Sequence, residues 1–402
     1  MNTLSPVERA AVDHVHTEPM REQVERWVAI NSGTRNLAGV AAMGAVLADA
    51  FAALPGDLAM VDAAPVEQVD PSGAVAALDH APHLHLIVRP EAPVQMLFTG
   101  HMDTVYPVDH PFQTMRVLPD GAWNGPGAAD MKGGLAVMLA ALKAVEASAL
   151  APRIGYEVVI GSDEETGSFS SAALLAKAAR GKVAALTYEP ALADGTLAGA
   201  RGGTGNFSLI VTGRSAHAGR NPDDGRNAVL AAADLALRLV RARRAGLSVN
   251  PARIEGGGPN NVVPDHAILR VNFRPADAAA IADAQKALDV AIAEVALEHD
   301  VRIALHGSFN RPPKPIDPAA EALFGLVKQA GADLGIPIAW RATGGVCDGN
   351  NIAACGVPVV DTMGVRGGAI HSPDEFMLPE SLAERAALSA VTILRIAERG
   401  RP

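Results

Sequence analysis

The sequence predicts an α/β fold, a mixed, mostly parallel sheet with a ferredoxin-like α+β domain inserted into it. Three observations lead there. Strand-length apolar runs alternate with helical stretches over most of the chain, the order that parallel pairing requires. Between the Gly202-Gly203 pair and the Arg311-Pro312-Pro313-Lys314-Pro315 run the order becomes β-α-β-β-α-β, and both flanks are natural hinges. A chain of 402 residues also exceeds one comfortable core and suits two domains. Residues 1–202 and 313–402 are therefore expected to form one domain in two parts, with 203–312 inserted.

Taken in order, residues 5–30 read as a helix with Ser5 as cap and Pro6 in its first turn, ended by Asn31-Ser32-Gly33. Residues 37–54 form a second helix. The compact apolar run 94–99 leads at once into Gly100-His101-Met102-Asp103. Residues 131–147 read as a helix. The strand 154–161 ends in Ser162-Asp163-Glu164-Glu165, and the strand 183–188 ends in Glu189-Pro190. Inside the insertion, strands 205–212, 247–254, 266–273 and 301–306 frame helices 227–244 and 278–298. Helix–strand patterning then returns to the C-terminus.

Composition narrows the function. A formal net charge of −10 argues against a nucleic-acid partner, whose phosphates need a basic surface. It leaves room for a small anionic substrate held by a few buried arginines. The two cysteines, Cys347 and Cys355, cannot staple such a chain and fit a reducing compartment. The N-terminal segment carries Glu8, Asp13, Glu18, Glu22 and Glu25 and lacks the apolar core of a signal peptide. No later run is apolar for long enough to span a bilayer. The expectation is a soluble, cytoplasmic protein with no membrane partner.

In open parallel sheets, ligand sites gather at the carboxyl ends of the strands. Here such ends carry His101, the Glu164-Glu165 pair and Glu189. Asp130 precedes a helix, and His371 lies in a Gly-rich loop. His101 and Asp103 form His-x-Asp, which sets both side chains on one side of an extended segment. Alone, each acid reads as solvated and each histidine as a surface or core residue. Together, two histidines and three carboxylates suffice for two borderline metal ions with one carboxylate shared. Asp103 is then free to fix the His101 ring, and Glu164 to take a proton from water.

The segments Leu97-Phe98-Thr99-Gly100-His101-Met102-Asp103-Thr104-Val105, Gly125-Pro126-Gly127-Ala128-Ala129-Asp130-Met131-Lys132-Gly133-Gly134 and Ser162-Asp163-Glu164-Glu165-Thr166-Gly167-Ser168 resemble a metallohydrolase family. That family contains the bacterial glutamate carboxypeptidase, acetylornithine deacetylase, succinyl-diaminopimelate desuccinylase and aminoacylases. Gly213-Arg214-Ser215-Ala216-His217-Ala218-Gly219 and Asn261-Val262-Val263-Pro264 resemble its lid motifs, and the likeness runs in order over about residues 24–397. The resemblance implies a catalytic domain carrying two zinc ions, with cobalt or manganese as substitutes. His101 and Glu189 would hold one ion, Glu165 and His371 the other, with Asp130 bridging. Asp103 would orient His101, and Glu164 would be the general base. The inserted domain would be a lid and dimerisation unit, carrying His217 and Asn261 to the oxyanion in the partner of a homodimer. The Asp130-Met131 peptide bond matches one that the family often holds in cis.

The resemblance also assigns Arg274 and Arg311 to the substrate carboxylate, a role that suits a forked guanidinium. Gly344 and Gly345 match a glycine pair that lets backbone approach substrate. Arg201 and Arg366, in Gly-rich loops, read instead as partners of structural acids. Cys347 stands where the carboxypeptidase has a threonine, and an inert buried thiol is expected. His80, His83, His85, His110, His266 and His306 read as structural or surface residues. The run 121–134 does not match a phosphate loop, which needs Ser or Thr after its lysine. The implied activity is hydrolysis of the amide bond of an N-acyl amino acid or small peptide with a free carboxylate. The alternatives are a biosynthetic deacylase of the acetylornithine or succinyl-diaminopimelate type, and a binding homologue that has lost turnover.

Overall fold

The computed structural model describes residues 4–402, so the first three residues of the acidic N-terminal segment lie outside the described residues. The large sheet has six strands in the order Asp57–Val61, His83–Val88, Ile154–Gly161, Val94–His101, Ala184–Thr187 and Val359–Val360. The last four run parallel, and the first two add antiparallel pairs at one edge. The mixed, mostly parallel sheet expected from the sequence is observed.

Side chains along a strand alternate between its two faces. Met96 and Phe98 therefore enter the core shared with Leu135 and Leu139, while Leu97 enters a second layer with Leu175 and Ile352. Because helices cover both faces, the strand reads as an unbroken apolar run. The helix Gly133–Glu146 is buried on nearly every side between the sheet and the C-terminal helix Ser381–Arg399.

The expected helix over 5–30 is two helices, Pro6–Val15 and Met20–Val28. Pro19 separates them, because its ring has no N–H to donate and disfavours a helical residue before it. Ser5 caps the first with a reciprocal bond to Glu8, as the sequence predicts.

Residues 204–311 build a separate sheet, antiparallel throughout, in the order Leu247–Gly256, His266–Pro275, Thr204–Thr212, Arg302–Arg311. Helices Ala228–Val240 and Ala278–Glu298 close its own core around Leu209, Leu235, Phe273 and Leu288. On the sheet's other face, Arg270 donates to Val69 O at 2.9 Å, at a hairpin of the larger unit formed by Val66–Val69 and Val75–Leu78. The last strand continues past the expected residue 306 to Arg311, which is buried. Among the described residues no helix is long and apolar enough to cross a membrane.

The buried helix yields a first prediction. Leu139→Ala removes a side chain that is 1% exposed and should destabilise the protein by about 2–5 kcal/mol. Urea unfolding checks this, and a midpoint within error of wild type would contradict the assigned packing.

Candidate metal centre

The strands Ile154–Gly161, Val94–His101 and Ala184–Thr187 are neighbours and parallel, with His101 level with Gly161 and Thr99 with Thr187. Their carboxyl ends therefore emerge side by side. His101 is the last residue of the middle strand, Glu164 and Glu165 open the short turn after the first, and Glu189 follows the third. Asp130 comes from the turn before helix Gly133–Glu146, where the Asp130–Met131 peptide is cis. His371 follows the strand Arg366–Gly368 with φ 62°, a backbone region that L residues seldom adopt and that clusters at functional positions.

These residues meet. Asp130 Oδ1 lies 3.1 Å from His101 Nε2, and Asp130 Oδ2 lies 3.3 Å from His371 Nε2. Glu189 is 3.8 Å from His101 Nε2, and Glu165 is 3.2 Å from His371 Nε2. The ligand atoms of His101, Asp130 and Glu165, and those of His101, Glu164 and Glu189, lie close enough within each set to share an ion. On the far side of the His101 ring, Nδ1 is 3.0 Å from Asp103 O and 3.5 Å from its carboxylate. That carboxylate accepts from Thr34 Oγ1 at 2.7 Å and from the backbone N–H groups of Glu164 and Glu165 at 3.2 and 3.3 Å.

The electrostatics fit a cation. Burial, with the charge of Asp130, pushes Glu165 up to about 8, and burial pushes Glu164 up to about 7 against the pull of Arg311. Burial also raises Glu189. Both imidazoles are driven the other way. Hydrogen bonds to Asp130 and Glu165 carry His371 up to about 11, and for His101 the bonds to Asp103, Asp130 and Glu189 outweigh burial. The three buried glutamates are thus pushed toward their protonated forms, while the two histidines are pushed toward their charged forms and hold the Asp130 carboxyl low against its burial. A divalent cation supplies positive charge without those protons, and the oxygen–nitrogen donor set suits borderline metals.

Residues 97–395 match the model of peptidase family M20/M25/M40. The chain belongs to that family. Carboxypeptidase G2 of Pseudomonas sp. (strain RS-16) is 32% identical over 313 residues, covering 74% of this chain and 73% of that protein. Succinyl-diaminopimelate desuccinylase of Janthinobacterium sp. (strain Marseille) is 28% identical over 302 residues, covering 70% and 78%. A tripeptidase of Staphylococcus aureus superposes with a TM-score of 0.70 over 94% of this chain and 98% of that one, at 24% identity, a likeness of fold. Members of the family are metal-dependent hydrolases, and this M20 protein has a donor cluster to match.

Other residues singled out in the sequence lie elsewhere. His217 and Asn261 stand on a ribbon formed by Ala216–His217 and Val262–Val263, where Asn261 O accepts from Ala218 N. The exposed His217 accepts from Gly219 and Arg220 N–H groups. Neither residue bonds to the cluster. Arg274 is exposed, donates to Asn272, and lines a separate hinge cleft with Gly344. Gly345 borders the cluster's own cleft. Arg311 is not open to that cleft as a carboxylate clamp would be, because its Nη2 is 2.7 Å from Glu164 Oε1 and 2.7 Å from Ser168 Oγ. Arg201 binds Asp361 at 2.7 and 3.1 Å, and Arg366 binds Glu384 at 2.9 Å, so both pair with structural acids. Burial raises the Cys347 thiol well above its usual value against the pull of Arg201. His83 bonds Ser162, and His85 sits 2.7 Å from Glu157.

Sequence reasoning missed Glu375. This buried carboxylate accepts from the N–H groups of Gly127, Ala129 and Asp130 at 3.1, 3.0 and 3.1 Å, and from Tyr106 Oη at 2.8 Å. Tyr106 Oη also lies 2.8 Å from Ser372 O, beside His371. One acid therefore clamps the loops that carry Asp130 and His371. Its only sequence signal was an acid directly preceding the apolar Phe376–Met377 strand. Glu375→Ala should weaken divalent-metal affinity about 10–100-fold, measured by metal content after dialysis against graded chelator. Wild-type retention would show that the clamp is dispensable.

Proposed function

We propose that this M20 protein is a cytoplasmic, homodimeric di-zinc hydrolase. It cleaves the amide bond of an N-acyl amino acid or small peptide beside a free carboxylate. The observation that carries the reading is Asp130, with one imidazole on each of its oxygens. A carboxylate so placed can bridge two ions, one shared with His101 and Glu189 and the other with Glu165 and His371. Zinc suits these donors, with cobalt or manganese as substitutes. Such ions supply a polarised carbonyl and an acidified water.

The chain's own residues do the rest. Glu164, with its carboxyl near 7, is poised to take a proton from the attacking water and return it to the leaving amine. Arg311 fixes the orientation of that carboxylate, and Asp103 fixes the His101 ring. Residues 203–312 act as lid and dimerisation unit. Arg274, with the Gly344–Gly345 backbone, receives the substrate's carboxylate once the lid closes. His217 and Asn261 serve the oxyanion of the partner's site; their exposure and their lack of any bond to their own cluster support this. A binding homologue without turnover is disfavoured, since every ligand candidate and the base are present and converge. A biosynthetic deacylase is the second reading, favoured by the similarity to a succinyl-diaminopimelate desuccinylase. Metal-loaded protein screened on N-acyl amino acids and dipeptides separates the two: broad acceptance of aryl and peptidyl groups selects the first reading, and acceptance of acetyl or succinyl groups alone selects the deacylase.

Glu164→Gln should keep its metal yet lose about 10²–10⁴-fold in kcat; near-normal turnover refutes the base assignment. Mixing that variant with His217→Ala, after dissociation and reassociation, should restore part of the activity that each lacks alone. One mixed site then has an intact base and an intact partner histidine. Absence of any rescue while mixed dimers form rules out the cross-subunit role.

A further inference from the structure

The cleft holding the cluster encloses about 280 Å³ and extends beyond it to the strands Leu197–Arg201 and Trp340–Thr343. These strands pair in parallel, with Ala198 beside Arg341 and Arg201 beside Thr343. Side-chain alternation turns Trp340 away, where it packs on Phe324 with ring centres 5.0 Å apart, while Arg341 and Thr343 line the cleft. The lobe is apolar along Pro190, Leu197 and Val346. Leu192 and Ile370, 39% and 40% exposed, form its rim.

Two arginines border this cleft. Arg201 is fully engaged by Asp361 and by Gly345 O at 3.1 Å. Arg341, by contrast, is exposed and makes no hydrogen bond or ion pair with the described residues. Asp194, the acid that senses its charge, is held mainly by hydrogen bonds from Thr196, with the backbone N–H at 2.9 Å. A free guanidinium in the lining of a partly apolar cleft suits an apolar ligand with an anionic tip.

We propose that this lobe receives the acyl arm of the substrate, a short apolar chain ending in a carboxylate that pairs with Arg341. The proposal rests on the hydrolase reading above. With the scissile carbonyl at the cluster and the amino acid's own carboxylate on the lid side, the acyl arm is left to the lobe. An ammonium-tipped arm meets repulsion there, and a methyl-tipped arm leaves the guanidinium unpaired.

The test compares N-succinyl, N-butanoyl and N-(4-aminobutanoyl) derivatives of the amino acid best accepted in the screen. The three arms match in carbon number and differ at the tip. Metal-loaded wild type should favour succinyl over butanoyl by on the order of tenfold in kcat/KM and accept the amine-tipped arm least. In Arg341→Gln the succinyl-to-butanoyl ratio should fall to about one, and Arg341→Lys should keep part of the preference. The ratio is the readout because a general folding defect lowers both substrates together. A wild-type ratio near one, or an unchanged ratio in Arg341→Gln, overturns the subsite and leaves the hydrolase reading intact. Failure of metal-loaded wild type to cleave any member of the screen overturns the hydrolase reading, and the subsite falls with it.

Discussion

A buried carboxylate with an imidazole on each oxygen sets the terms for everything around it. Asp130 sits between His101 and His371 within a group that also holds Glu164, Glu165 and Glu189. Ionised acids this close in a dry interior repel one another and lose hydration. Burial pushes the Glu164 and Glu165 carboxyls up, and the imidazoles on either side of Asp130 are pushed up while its own carboxyl is held low. Such a cluster is a poor device for holding a fold together, because apolar side chains of similar volume would stabilise as well or better. Its retention at the ends of three parallel strands makes sense for binding a cation.

Of the cluster's acids, Glu164 is paired with an arginine, and the other nearby basic groups bind acids outside the cluster. Arg311 is shared among Glu164, Ser168 and Asp348. Arg201 and Lys314 both converge on Asp361. Arg311, Arg201 and Lys314 are held by Glu164, Asp348 and Asp361, so Asp130, Glu165 and Glu189 keep their lone pairs for the middle of the site. Glu375 acts differently: it bonds backbone N–H groups and fixes where Asp130 sits. Where a turn is stitched to a carboxylate in this way, ligand geometry is set before any ion arrives.

Much of this was legible in the sequence, for identifiable reasons. Apolar runs ending in His101, Glu165 and Glu189 announce strand ends, and strand ends in a parallel sheet share one edge. The β-α-β-β-α-β order of 204–311 matches the small sheet, in which the first strand pairs with the third and fourth because a helix crossover separates it from the second. What stayed hidden depends on long-range contact. Nothing near Glu375 in the sequence reveals that it reaches back to Gly127 and Asp130. Arg311 resembled a substrate ligand, but the extra length of its strand carries it into the larger unit, against Glu164. Pro19 was readable as a helix break, yet the amphipathic pattern on either side masked it.

The architecture also separates chemistry from selectivity. Most of the cluster stands on the ends of long strands buried on both faces and locked by the large core. The lobe leading to Arg341 is built from a short two-stranded pair and loops, with partly exposed side chains. Changes of side chain in the second region cost little packing and leave the strand ends where they are. A carboxypeptidase and a desuccinylase can therefore both be relatives of one chain at similar identity. On the proposed reading, the sheet holds the groups that carry out hydrolysis, and the acyl arm would meet residues that the core does not constrain.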